Sequence, residues 1–334
     1  MKLAIRLVMT VIAFLVAIPL VALALVFTQH PADVPKDDAA TLTFSSVRPP
    51  ESVDLPLRSY RAEDGSELGY RYLPAKSDNA PLVILVHGSG WHGGSYQWLA
   101  RQIAANGDIA VAIPDMRGHG PSPERRGDVD YIGQLEDDVA ALAKQLLKPG
   151  QKLILAGHSS GGGFVIRFAG GKYGGMLSGA VLLSPYLNYK APTMRDNAGG
   201  WSEALVRRAI GLSILNGLGI HALDSLPIVT FHFPRAVLDG PEGKTATTSY
   251  SWRLNVSYAP RRDYLGDVAK LPPFLLVAGK QDEAFRADQF QPTLSKANAS
   301  GDYHILDGVD HLGLINTQAT ADLIRSYVQG QITR

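Results

Sequence analysis

A serine between glycines is the first residue of this 334-residue sequence whose setting points to chemistry. The stretch Gly157-His158-Ser159-Ser160-Gly161 fits the pattern G-x-S-x-G, with an apolar strand-like run before it and a helix-like run from Gly161 onward. A serine on so sharp a turn from strand to helix takes a strained backbone conformation and exposes its hydroxyl, and the glycines let the two elements approach closely. A phosphate-binding loop is disfavoured, because that pattern needs a lysine where this sequence has Phe164. Ser159 is therefore a candidate nucleophile.

A serine hydroxyl needs an adjacent base to attack at neutral pH, and that base needs a carboxylate to orient it. Asp282 and His311 each follow a predicted strand, in the chain order serine, acid, histidine that such a turn favours. The carboxyl ends of parallel strands meet at one edge of a sheet, so we expect the three side chains to lie together. Asp310 and Glu283 are rival acids, and Asp282 is favoured by its position at the end of its strand.

The loop His87-Gly88-Ser89-Gly90 follows another predicted strand, at the place where an early loop donates a backbone N–H to an oxyanion hole. We expect the N–H groups of Ser89 and Ser160 to be the two donors. The alternative is an ordinary turn that ends a strand.

Short apolar runs alternate with helical stretches through most of the chain, which predicts a largely parallel sheet with helices on both faces. A hairpin over residues 59–73 comes first. The predicted strands are Leu82–Val86, Ile109–Ile113, Leu153–Ala156, Ala180–Leu183, Phe274–Ala278 and Tyr303–Leu306, and the predicted helices are Tyr96–Ala105, Gln134–Leu147 and Thr317–Val328.

The alternation is interrupted over residues 188–270, a stretch too long for a loop inside a compact domain. It carries its own helical pattern over Glu203–Leu218, with leucines on one face. We interpret it as a lid inserted over the sheet, and the alternative is a surface elaboration that never touches a substrate.

The amino terminus has no charged residue from Leu7 to Phe27, and about 20 apolar residues can cross a bilayer as a helix. Lys2 and Arg6 precede this run, which predicts a membrane anchor with the rest of the chain on the outer, periplasmic or extracellular side. A cleaved signal peptide, with secretion, is the alternative. The predicted organisation is therefore an anchor or signal over residues 1–29, a linker over 30–56, and one domain over 57–334.

The composition of the chain argues against several classes of function. The net charge of +1 argues against a nucleic-acid partner, which usually calls for a basic face. The chain has no cysteine, which excludes a cysteine nucleophile, disulfides and zinc–thiolate sites.

Three stretches resemble the α/β-hydrolase superfamily and, within it, the monoacylglycerol lipase, lysophospholipase and serine aminopeptidase-like group. His87-Gly88-Ser89-Gly90-Trp91-His92-Gly93-Gly94-Ser95-Tyr96 is similar to that group's HGxGEHxxxY, residues 114–122 resemble its DxRGHGxS loop, and residues 157–161 its GHSxG turn. The resemblance implies an α/β-hydrolase fold with an eight-stranded sheet and a variable lid. It also implies hydrolysis through an acyl-enzyme, with no metal and no cofactor.

One departure concerns Trp91, which stands where the group usually has an acidic residue, so recognition of a glycerol-like head group does not carry over. Trp91 and His92 are candidate substrate contacts, although local hydrogen bonding accounts equally well for His92.

These observations predict an enzyme that cleaves a carboxylic ester, with a lipid-like or medium-chain acyl ester favoured over a small soluble one. Peptidase or amidase activity and acyl transfer to an alcohol use the same three side chains and stay open. An alternative of another class is an inactive, membrane-tethered binding protein on the same scaffold.

Overall fold

Eight strands form the main sheet in the computed structural model, which describes residues 1–30, 42–121, 123–195 and 200–332. Their order across the sheet is β1-β2-β4-β3-β5-β6-β10-β11, where β2 pairs antiparallel with β1 and β4 and the other five pairs are parallel. The strands are β1 (Arg58–Arg61), β2 (Glu67–Leu73), β3 (Leu82–Val86), β4 (Ala110–Pro114), β5 (Leu153–His158), β6 (Gly179–Leu183), β10 (Phe274–Gly279) and β11 (Gly301–Leu306). The predicted hairpin and mostly parallel eight-stranded sheet are confirmed.

Helices cover both faces of this sheet. Leu82 and Ile84 of β3 belong to the apolar core on one face, while Val83 and Leu85 belong to the core on the other, because successive side chains of a strand point to opposite faces. The helices are α1 (Lys2–Phe27), α2 (Gln97–Ile103), α3 (Gln134–Leu146), α4 (Ser160–Gly170), α5 (Val206–Gly217), α6 (Arg235–Leu238), α7 (Trp252–Tyr258), α8 (Tyr264–Val268), α9 (Phe290–Leu294) and α10 (Gln318–Ile332). α2 and α10 pack on the second face, and α3 and α4 on the first.

The insertion between β6 and β10 contains a small antiparallel sheet of its own. Its strands are β7 (Ser202–Ala204), β8 (Pro227–Phe231) and β9 (Ser249–Ser251), in that order across the sheet. α5 is the helix predicted within the insertion; Leu212 and Leu215 are buried there, whereas Leu218, just beyond the helix end, is exposed. Whether the insertion acts as a lid stays a prediction.

The amino-terminal helix α1 packs against α5 of the insertion. Ala22 and Val26 are fully buried with Leu212 and Leu215, and the fit is close, because a Cβ placed on Gly211 would lie 2.5 Å from the carbonyl oxygen of Ala22. Over the residues that the structure describes, no helix combines the length and apolarity needed to cross a membrane. The prediction of a membrane-anchored chain with its domain on the outer side is therefore wrong, and the buried side chains at the end of α1 face the protein's own helix.

Of the predicted linker, residues 31–41 lie outside the described part of the chain, as does Ser122 at the end of the second motif. Leu42–Val47, which we call the strap, lies on the domain, with Leu42 in its main core.

Candidate active site

Ser159 lies on the turn between β5 and α4, with a backbone conformation of φ 56° and ψ −119° that non-glycine residues rarely adopt. Two glycines make this turn possible. A Cβ on Gly157 would lie 2.2 Å from the carbonyl oxygen of Gly161, and one on Gly161 would lie 2.5 Å from that of Val86. Strand and helix therefore approach more closely than any side chain would allow, and Ser159 is held at the carboxyl end of the sheet.

Asp282 and His311 form a buried pair near the ends of β10 and β11. Nδ1 of His311 lies 2.9 Å from a carboxylate oxygen of Asp282, and the other carboxylate oxygen accepts the N–H groups of Ala284 and Phe285 at 2.9 and 2.8 Å. Burial alone would lower the pKa of His311, but the charge and hydrogen bond of Asp282 outweigh it and raise that pKa above its ordinary value. Burial opposes the charge on Asp282, yet the His311 imidazole and the donated hydrogen bonds leave its pKa lowered. The pair is arranged as an ionised carboxylate that orients an imidazole.

His158, the residue before Ser159, connects this pair to the turn. Its Nε2 lies 3.0 Å from the carbonyl oxygen of His311, and the two imidazole centroids are 4.6 Å apart. The structure thus brings Ser159, Asp282 and His311 to one place. In the part of the chain that the structure describes, no hydrogen bond joins the Ser159 hydroxyl to His311. Such bonds often form only when a substrate binds.

The rival acids contact the backbone around His311. Glu283 accepts the backbone N–H of His311 at 3.0 Å, and Asp310 accepts that of Gly313 at 2.6 Å. The carboxylate hydrogen-bonded to the imidazole is that of Asp282.

The loop after β3 carries the predicted oxyanion donor Ser89. The ideal Cβ of Gly88 would lie 3.3 Å from Cβ of Ser159, so this loop passes directly beside the nucleophile. Ser160 is the first residue of α4, where backbone N–H groups have no partner within the helix. Both predicted donors therefore lie next to Ser159, and a developing oxyanion could be held between them.

Trp91 lies in a cluster of aromatic rings beside this loop, which we call the aromatic wall and define as Phe44, Trp91, Trp201, Phe231 and Phe233. Neighbouring ring centroids in it are 4.8 to 6.0 Å apart. Trp201 donates its indole N–H to the hydroxyl of Ser89 at 3.2 Å, so the wall contacts the oxyanion loop directly. The indole nitrogen of Trp91 is buried without a hydrogen-bond partner among the described residues.

The strap supplies Phe44 to this wall and is attached to both acidic neighbours of the pair. The backbone N–H of Thr43 donates to Glu283 at 2.9 Å, and the Ser46 hydroxyl donates to Asp310 at 2.6 Å. The side-chain amide of Asn316 donates to the carbonyl oxygens of Ser46 and Val47, both at 2.8 Å. The strap is therefore part of the site's surroundings.

His92 lies in a polar network. Its Nδ1 accepts the N–H of Gly94 at 3.1 Å, and its Nε2 is 3.5 Å from a carboxylate oxygen of Glu242 in the insertion. Arg71 and Asp115, 3.0 Å apart, lie next to it. The structure gives His92 a bracing position, and the substrate contacts predicted for His92 and Trp91 remain predictions.

Sequence reasoning missed Trp201 and Tyr250, which form hydrogen bonds with Ser89 and Gly90 of the oxyanion loop, and Phe44, which packs against Trp201. Their positions depend on contacts between distant parts of the chain, and no motif in the sequence marks them. Tyr96 was visible as the end of a motif, but its contact with Gly88 was not.

The site is closed in this structure: Ser159 is 8% exposed and His311 3%. A surface cavity of about 560 Å³ lies elsewhere, lined by residues such as Leu57, Arg117 and Glu124 and by none of the three candidate catalytic residues. The candidate catalytic serine, histidine and carboxylate groups converge at Ser159 and not at this cavity. In the described part of the chain, no group of three or more histidine and acidic side chains is placed to hold a metal ion.

Comparison with known proteins supports this assignment of fold and class. Human monoglyceride lipase is 34% identical over 146 residues, which are 42% of this chain and 47% of that protein. Lipase LipV of Mycobacterium tuberculosis is 25% identical over 67% of this chain and 84% of that protein. A soluble variant of monoglyceride lipase from Saccharomyces cerevisiae superposes with a TM-score of 0.63 at 17% identity, over 90% of this chain and 99% of that one, and shows the shared fold.

The chain spans about half the length of the first curated relatives that it matches, 47% of one and 58% of another. The family model described as "Serine aminopeptidase, S33" matches residues 77–318, which include the oxyanion loop, the turn at Ser159 and the Asp282–His311 pair. This chain belongs to that hydrolase family and has the α/β-hydrolase fold of the lipase and esterase group.

Proposed function

We propose that this protein is a serine hydrolase that cleaves a carboxylic ester through an acyl-enzyme, with Ser159 as nucleophile. The observation that carries the proposal is that a strained serine and a buried histidine–carboxylate pair lie at one edge of the sheet, linked by the hydrogen bond from His158 to the His311 carbonyl. His311 takes the proton of the Ser159 hydroxyl as its oxygen attacks the ester carbonyl, while Asp282 holds the imidazole and stabilises its charged form.

The rest of the cycle uses the same groups. The N–H groups of Ser89 and Ser160 hold the negative charge that develops on the carbonyl oxygen, a contribution of about 3 kcal/mol for each donor. His311 then passes its proton to the leaving alcohol, and a water molecule, activated by the same imidazole, releases the acid and restores the Ser159 hydroxyl.

The aromatic wall favours a lipid-like or medium-chain acyl group as substrate. Trp91, Trp201 and Phe233 are at least nine-tenths buried next to the oxyanion loop, so an acyl chain entering beside Ser89 would meet apolar rings. The names of the relatives, monoglyceride lipase and lipase, point in the same direction.

Labelling with a fluorophosphonate tests the nucleophile. The probe should modify the wild type and leave Ser159→Ala unmodified, with Ser160→Ala as the neighbouring control that keeps its backbone N–H and its label. A folded wild type that takes up no label would contradict the proposal and favour an inactive binding protein.

Acyl preference is tested with p-nitrophenyl esters of increasing chain length. We expect kcat/KM to rise from acetate to medium-length chains. An optimum at acetate would refute the lipid-like substrate and leave the nucleophile assignment intact.

A further inference from the structure

Two tyrosine hydroxyls accept backbone N–H groups of the oxyanion loop, one on each side of Ser89. The N–H of Gly88 donates to the hydroxyl of Tyr96 at 2.8 Å, and the N–H of Gly90 donates to the hydroxyl of Tyr250, also at 2.8 Å. The N–H of Ser89, between them, has no acceptor among the described residues. The two neighbouring donors are thus occupied, and the remaining one is available to a ligand.

Each tyrosine hydroxyl is in turn fixed by a buried histidine. The hydroxyl of Tyr250 lies 2.7 Å from Nε2 of His119, whose Nδ1 lies 3.1 and 3.2 Å from the carbonyl oxygens of Arg117 and Met116. Carbonyl oxygens only accept, so Nδ1 carries the hydrogen and Nε2 accepts from the tyrosine. Burial lowers the pKa of His119 to about 4, which keeps this ring neutral at physiological pH.

The hydrogen bonds around Tyr96 follow the same pattern as those around Tyr250. The hydroxyl of Tyr96 lies 2.9 Å from Nδ1 of His158, and Nε2 of His158 donates to the carbonyl oxygen of His311. Burial, and then the charge of His311, lowers the pKa of His158 to about 3, so its Nδ1 is an acceptor. Each tyrosine oxygen therefore accepts from the loop and donates to a histidine, which leaves neither hydroxyl free to rotate.

Tyr250 is the unexpected member, because it comes from β9 in the insertion, 160 residues from Gly90. The backbone N–H of Thr247 also donates to the carbonyl oxygen of Gly90 at 2.9 Å, so the insertion holds this glycine by both of its peptide groups. Tyr250 is only 2% exposed. Strand β9 is therefore attached directly to the oxyanion loop through the hydroxyl of Tyr250.

We propose that Tyr250, paired with Tyr96, is a positioning residue that aims the Ser89 N–H at the oxyanion of the reacting ester. The inference rests on the proposed function, since it assumes that Ser89 donates to the transition state. A donor displaced by about 1 Å can cost roughly 100-fold in rate, because the interaction depends on orientation. The hydroxyl of Tyr250 therefore affects chemistry more than it affects substrate binding.

The test compares Tyr250→Phe and Tyr96→Phe with Tyr327→Phe. Tyr327 is a matched control: its hydroxyl also accepts a backbone N–H, that of Ala180 at 3.1 Å, and donates to the carbonyl of Pro273 at the far end of the sheet. For each variant, kcat and KM are measured with a p-nitrophenyl ester, the Ki is measured for an alkyl trifluoromethyl ketone, and the thermal midpoint is recorded.

We expect kcat of Tyr250→Phe to fall roughly 10-fold to 100-fold with KM nearly unchanged. The Ki of the ketone, which binds as an oxyanion adduct, should rise in proportion, while Tyr327→Phe keeps wild-type kcat and Ki. A purely structural role would lower the thermal midpoint without this proportionality. Wild-type kcat and Ki in Tyr250→Phe would overturn the inference.

Active-site titration with a fluorophosphonate separates the positioning role of Tyr250 from the proposed function. If the wild type is labelled at Ser159 and Tyr250→Phe keeps wild-type kcat and Ki, only the positioning role fails. If the folded wild type is not labelled, the proposed function fails. Should Tyr250→Phe not fold, His119→Phe removes the acceptor of the Tyr250 hydroxyl and leaves the tyrosine in place. A fall in kcat with a parallel rise in Ki supports the inference, and wild-type values overturn it.

Discussion

The imidazole of His158 donates through Nε2 to the backbone carbonyl of His311, over 3.0 Å. Through this hydrogen bond, the residue before Ser159 holds the backbone at His311 in place. Burial and the charge of His311 lower the pKa of His158 to about 3, so this imidazole stays neutral while His311 titrates. His158 therefore adds no titration of its own to the pH profile in that range.

This relationship makes the acid side of the pH profile a report on His311. Asp282, Glu283 and Asp310 each raise the pKa of this imidazole against the effect of burial. Protonated His311 cannot accept the Ser159 proton, so kcat/KM should rise with pH through an apparent pKa above the usual value of about 6.5.

The measurement is kcat/KM between pH 5 and 9 for wild type and for Glu283→Gln. Removal of one neighbouring negative charge should move the acid limb of the profile to lower pH. A limb that stays in place, or moves to higher pH, would contradict the assignment of this titration to His311.

Replacement of Asp282 by asparagine should lower kcat by about 10⁴-fold, because an amide favours the wrong imidazole tautomer and does not stabilise the charged form. Asp310→Asn is the matched control, since Asp310 is bonded to Ser46 and the Gly313 N–H and not to the imidazole. A much smaller loss is expected there. Equal losses in the two variants would leave the choice of acid unsupported.

The close approach of strand and helix at Ser159 predicts that alanine substitution at two glycines has different effects on stability. A Cβ on Gly157 would meet the backbone of Gly161 at 2.2 Å, whereas one on Gly175 would meet nothing within 4 Å. Gly157→Ala should lower the free energy of unfolding by about 3 kcal/mol or prevent folding, as overpacking against backbone does. Gly175→Ala should leave urea unfolding nearly unchanged, and similar midpoints for both variants would refute the close approach.

Phe44 of the strap is expected to limit the size of the acyl group. Its ring fills space between Trp91, Trp201 and Phe233, so Phe44→Ala should raise kcat/KM for long acyl esters relative to short ones by about 10-fold. Phe27→Ala, which removes an exposed ring from α1, is the control. An unchanged ratio of long-chain to short-chain kcat/KM would show that Phe44 lies outside the acyl path.

The parts of this fold that the sequence predicts well are those with a local signal. β3 has the predicted bounds, and β6 and β10 differ from them by one residue, because a strand buried on both faces is a continuous apolar run between turns. The three candidate catalytic residues were chosen because each follows a predicted strand. β7 and β9 of the insertion, with three residues each, are too short to show a periodicity.

The contacts that sequence reasoning missed are those between distant segments. The sequence around Tyr250 does not indicate that its hydroxyl contacts Gly90, and the sequence around Phe44 does not indicate that it contacts Trp201. Both contacts depend on the tertiary packing of the sheet, the insertion and the strap. The amino-terminal prediction failed for a related reason: hydrophobicity alone does not distinguish a lipid partner from the protein's own helix α5.

The strap also has a practical consequence for work with shortened forms of this protein. A chain trimmed at the predicted domain boundary, residue 57, would keep the whole sheet and all three candidate catalytic residues, yet it would lose Phe44 together with the partners of Glu283 and Asp310. Such a shortened chain would lack one ring of the aromatic wall, so its acyl selectivity would differ from that of the full chain. Substrate screens therefore require a chain that begins before Leu42.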